Sequence, residues 1–339
     1  MTRHRFLLAL ALLAGSAAAQ ELRFAELGDF KLQSGEVVRD CRIGYRTLGA
    51  LDERKSNAIL MPTWANGTTE QMKSGIRPGG LVDPSRYYVI LVDALSNGVS
   101  SSPSNSRLQP RMRFPKFTMR DLVETQHELL TKVLHLDHVK AVVGSSMGAM
   151  QTFQWMVSYP GFMDLAIPIA GSPQLAPYDL MHWQTQIDAL VNHVGWKDGE
   201  YSRNPAPVSE IEFPALLLTT PEQYNEHTTR QQVIEQRQRA GQATGGVDAN
   251  NKIRQVQAMM ALDVSEAFGG SMEAAARAVK AQVLVIVSKT DHVVTPGPAL
   301  KFARLLGAQV LELEGNCGHL APNCEQAAVA REVQRFLAR

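Results

Sequence analysis

Apolar and polar residues follow two rhythms along this chain. Over residues 22–32 and 37–48 they are interleaved, with Gln33-Ser34-Gly35-Glu36 between the two runs; this predicts a pair of antiparallel strands joined by a turn. Beyond them, short and nearly continuous apolar runs at about 57–63, 87–93, 139–144, 165–170, 282–288 and 309–313 alternate with helical stretches. A strand covered on both faces requires such a run, so the pattern predicts an α/β fold, a mostly parallel central sheet with helices on both faces. Between 173 and 279 the rhythm changes to polar helical patterns, as at 228–240 and 253–261, with many Gln, no clear strand and a Gly/Ala/Asn/Asp-rich connection at 241–251. The expected organisation is a core of residues 20–172 and 280–339 with an inserted helical cap, 173–279. A chain of 339 residues can bury one large core plus such an excursion.

The run at 139–143 leads directly into Gly144-Ser145-Ser146-Met147-Gly148, after which residues 149–156 continue without Gly or Pro until Tyr159-Pro160. Gly-x-Ser-x-Gly between strand and helix is a nucleophile elbow, in which the two glycines leave room that a Cβ would fill. Only Ser146 has glycine two residues before and two after it. The motif also arises by chance in glycine-rich loops, so its weight depends on partners. In an α/β-hydrolase fold these follow in the order acid, then histidine. The apolar run at 282–288 ends in Lys289-Thr290-Asp291-His292, and the last run leads to Gly315-Asn316-Cys317-Gly318-His319. Asp291 is the acid candidate and His319 the base candidate. His292 directly follows the acid on one loop, from which its ring could not bridge to a serine on another strand. Ser146 as nucleophile, His319 as general base and then acid, and Asp291 orienting the ring make an acyl-transfer triad. One oxyanion-hole donor is the amide after the nucleophile, Met147; the second is expected after the third strand, in Pro62-Thr63-Trp64-Ala65-Asn66-Gly67, at the amide of Trp64. Trp64, Met150, Met181 and Trp183 are candidate pocket walls, although most Met and Trp residues are core fillers.

With these segments in hand, the chain resembles the homoserine O-acetyltransferase family of α/β hydrolases over most of its length. Phe114-Pro115-Lys116-Phe117-Thr118 followed by Asp121-Leu122-Val123-Glu124-Thr125-Gln126 is similar to a family segment, as are Gly144 to Gln151 with Trp155 and Tyr159-Pro160, and Trp196-Lys197-Asp198-Gly199-Glu200-Tyr201. The resemblance implies the fold, the triad, a ping-pong acyl-enzyme route and a possible homodimer through the cap. The departures fall where substrate is chosen. The family usually has Asp directly after the catalytic His, placed to hold an amino-acid ammonium, and here that position is Leu320. Its His-x-Leu-Thr-Gly after the third strand is replaced by Pro62-Thr63-Trp64-Ala65-Asn66, and its Ala-Arg stretch and Thr-Tyr are missing from 202–222. Lost polar contacts of this kind can cost several powers of ten in discrimination, which counts against homoserine as acceptor.

The N-terminus reads as a secretory signal peptide over residues 1–19: basic at Met1 to Arg5, apolar from Phe6 to Leu13, then small residues at Ala17-Ala18-Ala19. The apolar run is too short for a membrane span, and a secreted or periplasmic location follows. Water and esters are available there, whereas acetyl-CoA is kept in the cytosol. Cys317 and Cys324 flank His319, so a bridge between them would clip its loop; two buried thiols are the alternative, and Cys41 reads as an unpaired core residue. Lys+Arg 34 against Asp+Glu 33 lacks the basic excess of a nucleic-acid binder. No zinc-ligand spacing and no phosphate-cradling loop is found, so neither metal nor cofactor is expected. The sequence thus predicts a serine hydrolase acting on a small-molecule carboxylic ester, with an O-acyltransferase (acyl-CoA donor, alcohol acceptor) as the alternative and a silent binding fold as the third reading.

Overall fold

The structure is a computed structural model that describes residues 21–205, 216–240 and 246–339. The expected leader at 1–19 lies outside the described residues, as do 206–215 and 241–245 of the expected cap. Strands β1 (Arg23–Lys31), β2 (Val37–Leu48), β3 (Ala58–Pro62), β4 (Tyr88–Val92), β5 (Val139–Ser145), β6 (Met163–Ile169), β7 (Gln282–Ser288) and β8 (Gln309–Leu313) form one sheet in the order β1-β2-β4-β3-β5-β6-β7-β8. β1 and β2 pair antiparallel, as do β2 and β4, and the remaining neighbours are parallel. Composition follows position. β3 is buried at every residue and β7 at all but its first, whereas β1, at the sheet edge, buries only Ala25 and Phe30. A strand with one covered face needs an apolar residue only where it turns inward.

Among the described residues the helices include α1 (Thr69–Met72), α2 (Met119–Glu128), α3 (Met147–Ser158), α4 (Pro177–Val191), α5 (Pro221–His227), α6 (Arg230–Ala240), α7 (Ala249–Met260), α8 (Met272–Ala278), α9 (Gly297–Leu306), α10 (Ala321–Cys324) and α11 (Gln326–Leu337). Two core clusters lie on the two faces of the sheet. One includes Met150, Phe153 and Trp155 of α3 with Phe302 of α9, and the other includes Val333 and Phe336 of α11. Thr118 and Asp121 form a reciprocal capping box at the start of α2, and Asp121 Oδ1 also accepts from the Gln33 amide at 2.7 Å. The Thr-x-x-Asp segment thereby starts a helix and ties it to the β1–β2 turn. Of the insertion's helices, α4, α7 and α8 all bury side chains in the main core, among them Trp183, Val256, Met259 and Ala275, so these parts of the insertion pack against the body. Among the described residues no helix is long and apolar enough to cross a membrane.

Candidate active site

The β5–α3 junction turns so sharply that several backbones meet. A Cβ on Gly144 would lie 2.1 Å from the Gly148 oxygen, and one on Gly148 would lie 2.6 Å from the Pro62 oxygen. Ser146 between them has φ 54° and ψ −121°. That conformation costs an L residue of order 1–3 kcal/mol and persists only where its surroundings impose it. Here the Ser146 amide donates to the Ile169 oxygen at 2.9 Å, and the Ser146 oxygen accepts from the amides of Ala149 and Met150. Glycine at both flanking positions is therefore a steric requirement of the turn.

The two later loops meet this turn. His319 Nε2 lies 3.0 Å from Ser146 Oγ, and His319 Nδ1 lies 2.7 Å from Asp291 Oδ2. Asp291 Oδ1 accepts from the amides of Val293 and Val294 at 2.8 and 3.0 Å. With an acceptor at Nδ1, that nitrogen carries the proton and Nε2 is left to accept from the serine hydroxyl. The His319 side chain is 9% exposed and that of Asp291 1%, so the proton path is shielded from bulk water. Thr290 couples the loops: its hydroxyl donates to the Gly315 oxygen at 2.9 Å and accepts from the Gly318 amide at 3.2 Å. Cys317 and Cys324 are joined as a disulfide, which closes the segment carrying His319. Cys41 is a buried free thiol pushed up to about 12 by loss of solvation, unsuited to react as a thiolate.

Trp64 follows β3 and Met147 opens α3, so both lie on segments that meet at the Gly148–Pro62 contact. Among the described residues neither backbone amide donates to a protein acceptor. Asp93, directly after β4, accepts from the Thr69 amide and hydroxyl and from Asn97 Nδ2 at 2.7–2.9 Å. Burial raises its pKa, and these hydrogen bonds offset part of that effect.

The cap reaches each of these loops. From α4, Asp179 accepts from the Thr295 amide and hydroxyl at 3.1–3.3 Å, and His182 Nε2 lies 3.1 Å from the Val293 oxygen. Thr220 Oγ1 donates to the Asn316 oxygen at 2.6 Å, and the Leu320 amide donates to the Leu218 oxygen at 3.1 Å. From α7, Gln255 accepts from the Asn66 amide at 2.7 Å and donates to the Leu95 oxygen at 2.9 Å. Sequence reading missed Asp179, His182, Thr220, Gln255 and Thr290. Only Asp179 left a signal, as the third residue of a helix that opens with proline.

Two expected pocket residues are placed elsewhere. Met150 is fully buried in the main core, on a helix that is buried from Met147 to Val157. Met181 is 72% exposed on the outer face of α4. Trp183 is buried beside the His182 ring, and its Nε1 has no partner among the described residues, nor has Asn66 Oδ1. Leu320 is half-buried directly after His319, and Trp64 helps line a cavity of about 180 Å³ with Met72, Ser145 and Asn323.

The α/β hydrolase fold family matches residues 59–322. The chain is similar to the ethyl acetate hydrolase of Pseudomonas veronii, 31% identical over 308 residues that cover 87% of this chain and 88% of that enzyme. It is also similar to the homoserine O-acetyltransferase of Methanococcoides burtonii, 26% identical over 91% of this chain and 72% of that one. The solved structure of an acetylester hydrolase from Corynebacterium glutamicum superposes with a TM-score of 0.87 at 28% identity, covering 94% of this chain and 96% of that one. The chain therefore belongs to the α/β hydrolase fold family, as an enzyme of the hydrolase or acyltransferase type.

Proposed function

We propose that the protein is an exported serine esterase that hydrolyses small carboxylic esters, acetyl esters among them, through an acyl-Ser146 intermediate. The observation that carries this reading is the unbroken chain from Asp291 Oδ2 through the His319 ring to Ser146 Oγ, at 2.7 and 3.0 Å. His319 Nε2 takes the Ser146 proton as Oγ attacks the ester carbonyl, and the Trp64 and Met147 amides receive the oxyanion. The tetrahedral adduct collapses with protonation of the departing alcohol by His319, leaving Ser146 acylated. Water, deprotonated by the same nitrogen, then releases the acid. General-base help of this kind contributes roughly 10²- to 10⁴-fold, and each oxyanion donor roughly 10²- to 10³-fold. Likeness to ethyl acetate and acetylester hydrolases supports a small acyl group. Export rests on the basic, apolar and small-residue segments of the first 19 residues.

Acyl transfer to an alcohol is the second reading, favoured by likeness to a homoserine O-acetyltransferase over 91% of the chain. Acylation is common to both, so partitioning of the acyl-enzyme decides. The mature protein is given p-nitrophenyl acetate with and without homoserine, and nitrophenol, acetate and O-acetylhomoserine are followed. Acetate release indifferent to homoserine is the expected result, and capture by millimolar homoserine would replace the esterase reading. Ser146→Ala should reduce turnover by about 10⁴-fold or more with the thermal midpoint nearly unchanged. Retained activity in that variant would displace Ser146 as the nucleophile.

A further inference from the structure

Gln151, in α3, is fully buried, and its side-chain hydrogen bonds run to Gln126, Thr63 and Met147 and to no member of the triad. Its Nε2 donates to the Thr63 oxygen and to the Met147 oxygen, both at 3.1 Å. Its Oε1 accepts from Gln126 Nε2 at 2.6 Å, and Gln126 Oε1 accepts from Trp155 Nε1 at 2.7 Å. The polarity of this buried relay has one source. An indole nitrogen can only donate, so Trp155 draws the oxygen end of Gln126 toward itself and turns the Gln126 amide nitrogen to Gln151. Gln151 must then answer with its oxygen, and its own nitrogen faces Thr63.

The consequence falls on the next peptide plane. The Thr63 oxygen and the Trp64 N–H belong to one trans peptide and point in opposite directions, so drawing that oxygen inward turns the Trp64 N–H outward. The other groups of Thr63 are already fixed: its amide donates to the Val92 oxygen and its hydroxyl accepts from the Ala94 amide, both at 3.1 Å. The plane between Thr63 and Trp64 is therefore the part left for Gln151 to set. By holding the Met147 oxygen with the same NH₂ group, Gln151 also fixes the spacing between the two segments that carry the oxyanion donors.

We propose that Gln151 is a positioning residue that aims the Trp64 amide at the oxyanion, with Trp155 and Gln126 setting its orientation. The assignment rests on the acyl-Ser146 reading given above. Gln151→Met keeps the volume and removes the donor. The burst rate constant with p-nitrophenyl acetate, expressed per active site titrated with a fluorophosphonate, should fall roughly ten- to hundredfold, with KM within about threefold. Affinity for phenylboronic acid, whose tetrahedral adduct places an oxygen in the same hole, should fall by a similar factor. Trp155→Phe, which frees the relay to reverse, should lower the same rate roughly three- to tenfold, and it serves as the test if Gln151→Met does not fold. A merely structural role would lower the titre of active sites or the thermal midpoint and leave the rate per titrated site intact. An unchanged per-site rate in folded Gln151→Met, or in Trp155→Phe where only that variant folds, overturns the assignment while leaving the esterase reading in place. Wild-type protein that reacts with fluorophosphonate at a residue other than Ser146 overturns both.

Discussion

The floor and the roof of the site are built on opposite terms. In the floor, backbone contacts at the elbow are so close that side-chain choice is forced: glycine at 144 and 148, with Ser146 held between them at φ 54°. In the roof, α4 and α7 reach the loops below through polar side chains such as Asp179, His182 and Gln255 and join the main core through Trp183, Ile187, Val256 and Met259, while α6 buries none of its described side chains. On the proposed reading, the acyl-transfer chemistry resides in the floor and choice of substrate falls to the roof.

The comparison is broken most sharply at Gly144. Its Cβ would meet the oxygen and carbon of Gly148 at 2.1 and 2.2 Å, both backbone atoms of the turn itself, so no side-chain movement relieves the clash. Gly144→Ala should cost about 3 kcal/mol or more in urea unfolding, with esterase rate falling further than stability alone accounts for. A variant within about 0.5 kcal/mol of wild type would show that the floor is as tolerant as the roof.

Asp179 tests the tie between the two. Its carboxylate holds the Thr295 amide and hydroxyl and caps α4 at Ala176, and the adjoining amides of Val293 and Val294 fix Asp291. Asp179→Ala should lower kcat about tenfold and stability by about 1–2 kcal/mol, the range for a lost cap or a buried hydrogen bond. Burial, reinforced by the nearby Asp291 charge, raises the Asp179 pKa. A carboxyl raised in the folded state contributes its full stability below the ordinary carboxylate value and loses it as pH rises through the folded value. Asp179→Asn keeps an oxygen for Thr295 without the ionisation, so thermal midpoints followed from pH 3 to 8 should show wild type losing ground to this variant as pH rises through that window. Parallel curves would mean that ionisation of Asp179 carries no cost in the fold.

What was legible in the sequence divides along the same line. The strand rhythm, the elbow and the order of Ser146, Asp291 and His319 could be read because each is imposed locally, by a run, a spacing or the end of a strand. The contacts that aim these groups join residues 88 apart for Gln151 and Thr63, 116 apart for Asp179 and Thr295, and 96 apart for Thr220 and Asn316. No local period marks such pairs. Gln126 and Gln151 were visible as motif residues, yet their part in the relay appears only when α2 and α3 lie side by side. Met150 and Met181 were misplaced because residue type does not say which way a helix face turns. One faces the main core and the other solvent.

The smallest expected effect bears on the roof alone. Among the described side chains of α6 only Val233 is as much as half-buried, and Ile234 is 45% exposed. An isolated helix of about eleven residues is marginal in water, and helices in proteins draw most of their stability from a packed face. α7 has such a face, with Ile253, Val256, Ala258 and Met259 all within 1% of complete burial. Ile234→Ala should therefore change stability by no more than about 0.5 kcal/mol and leave the rate on p-nitrophenyl acetate unaltered. Native-state hydrogen exchange supplies the sharper measure: amides of α6 should exchange roughly a hundredfold faster than those of α7, since local opening exposes few apolar contacts in the first and many in the second. Equal protection of the two helices would mean that α6 is covered in solution.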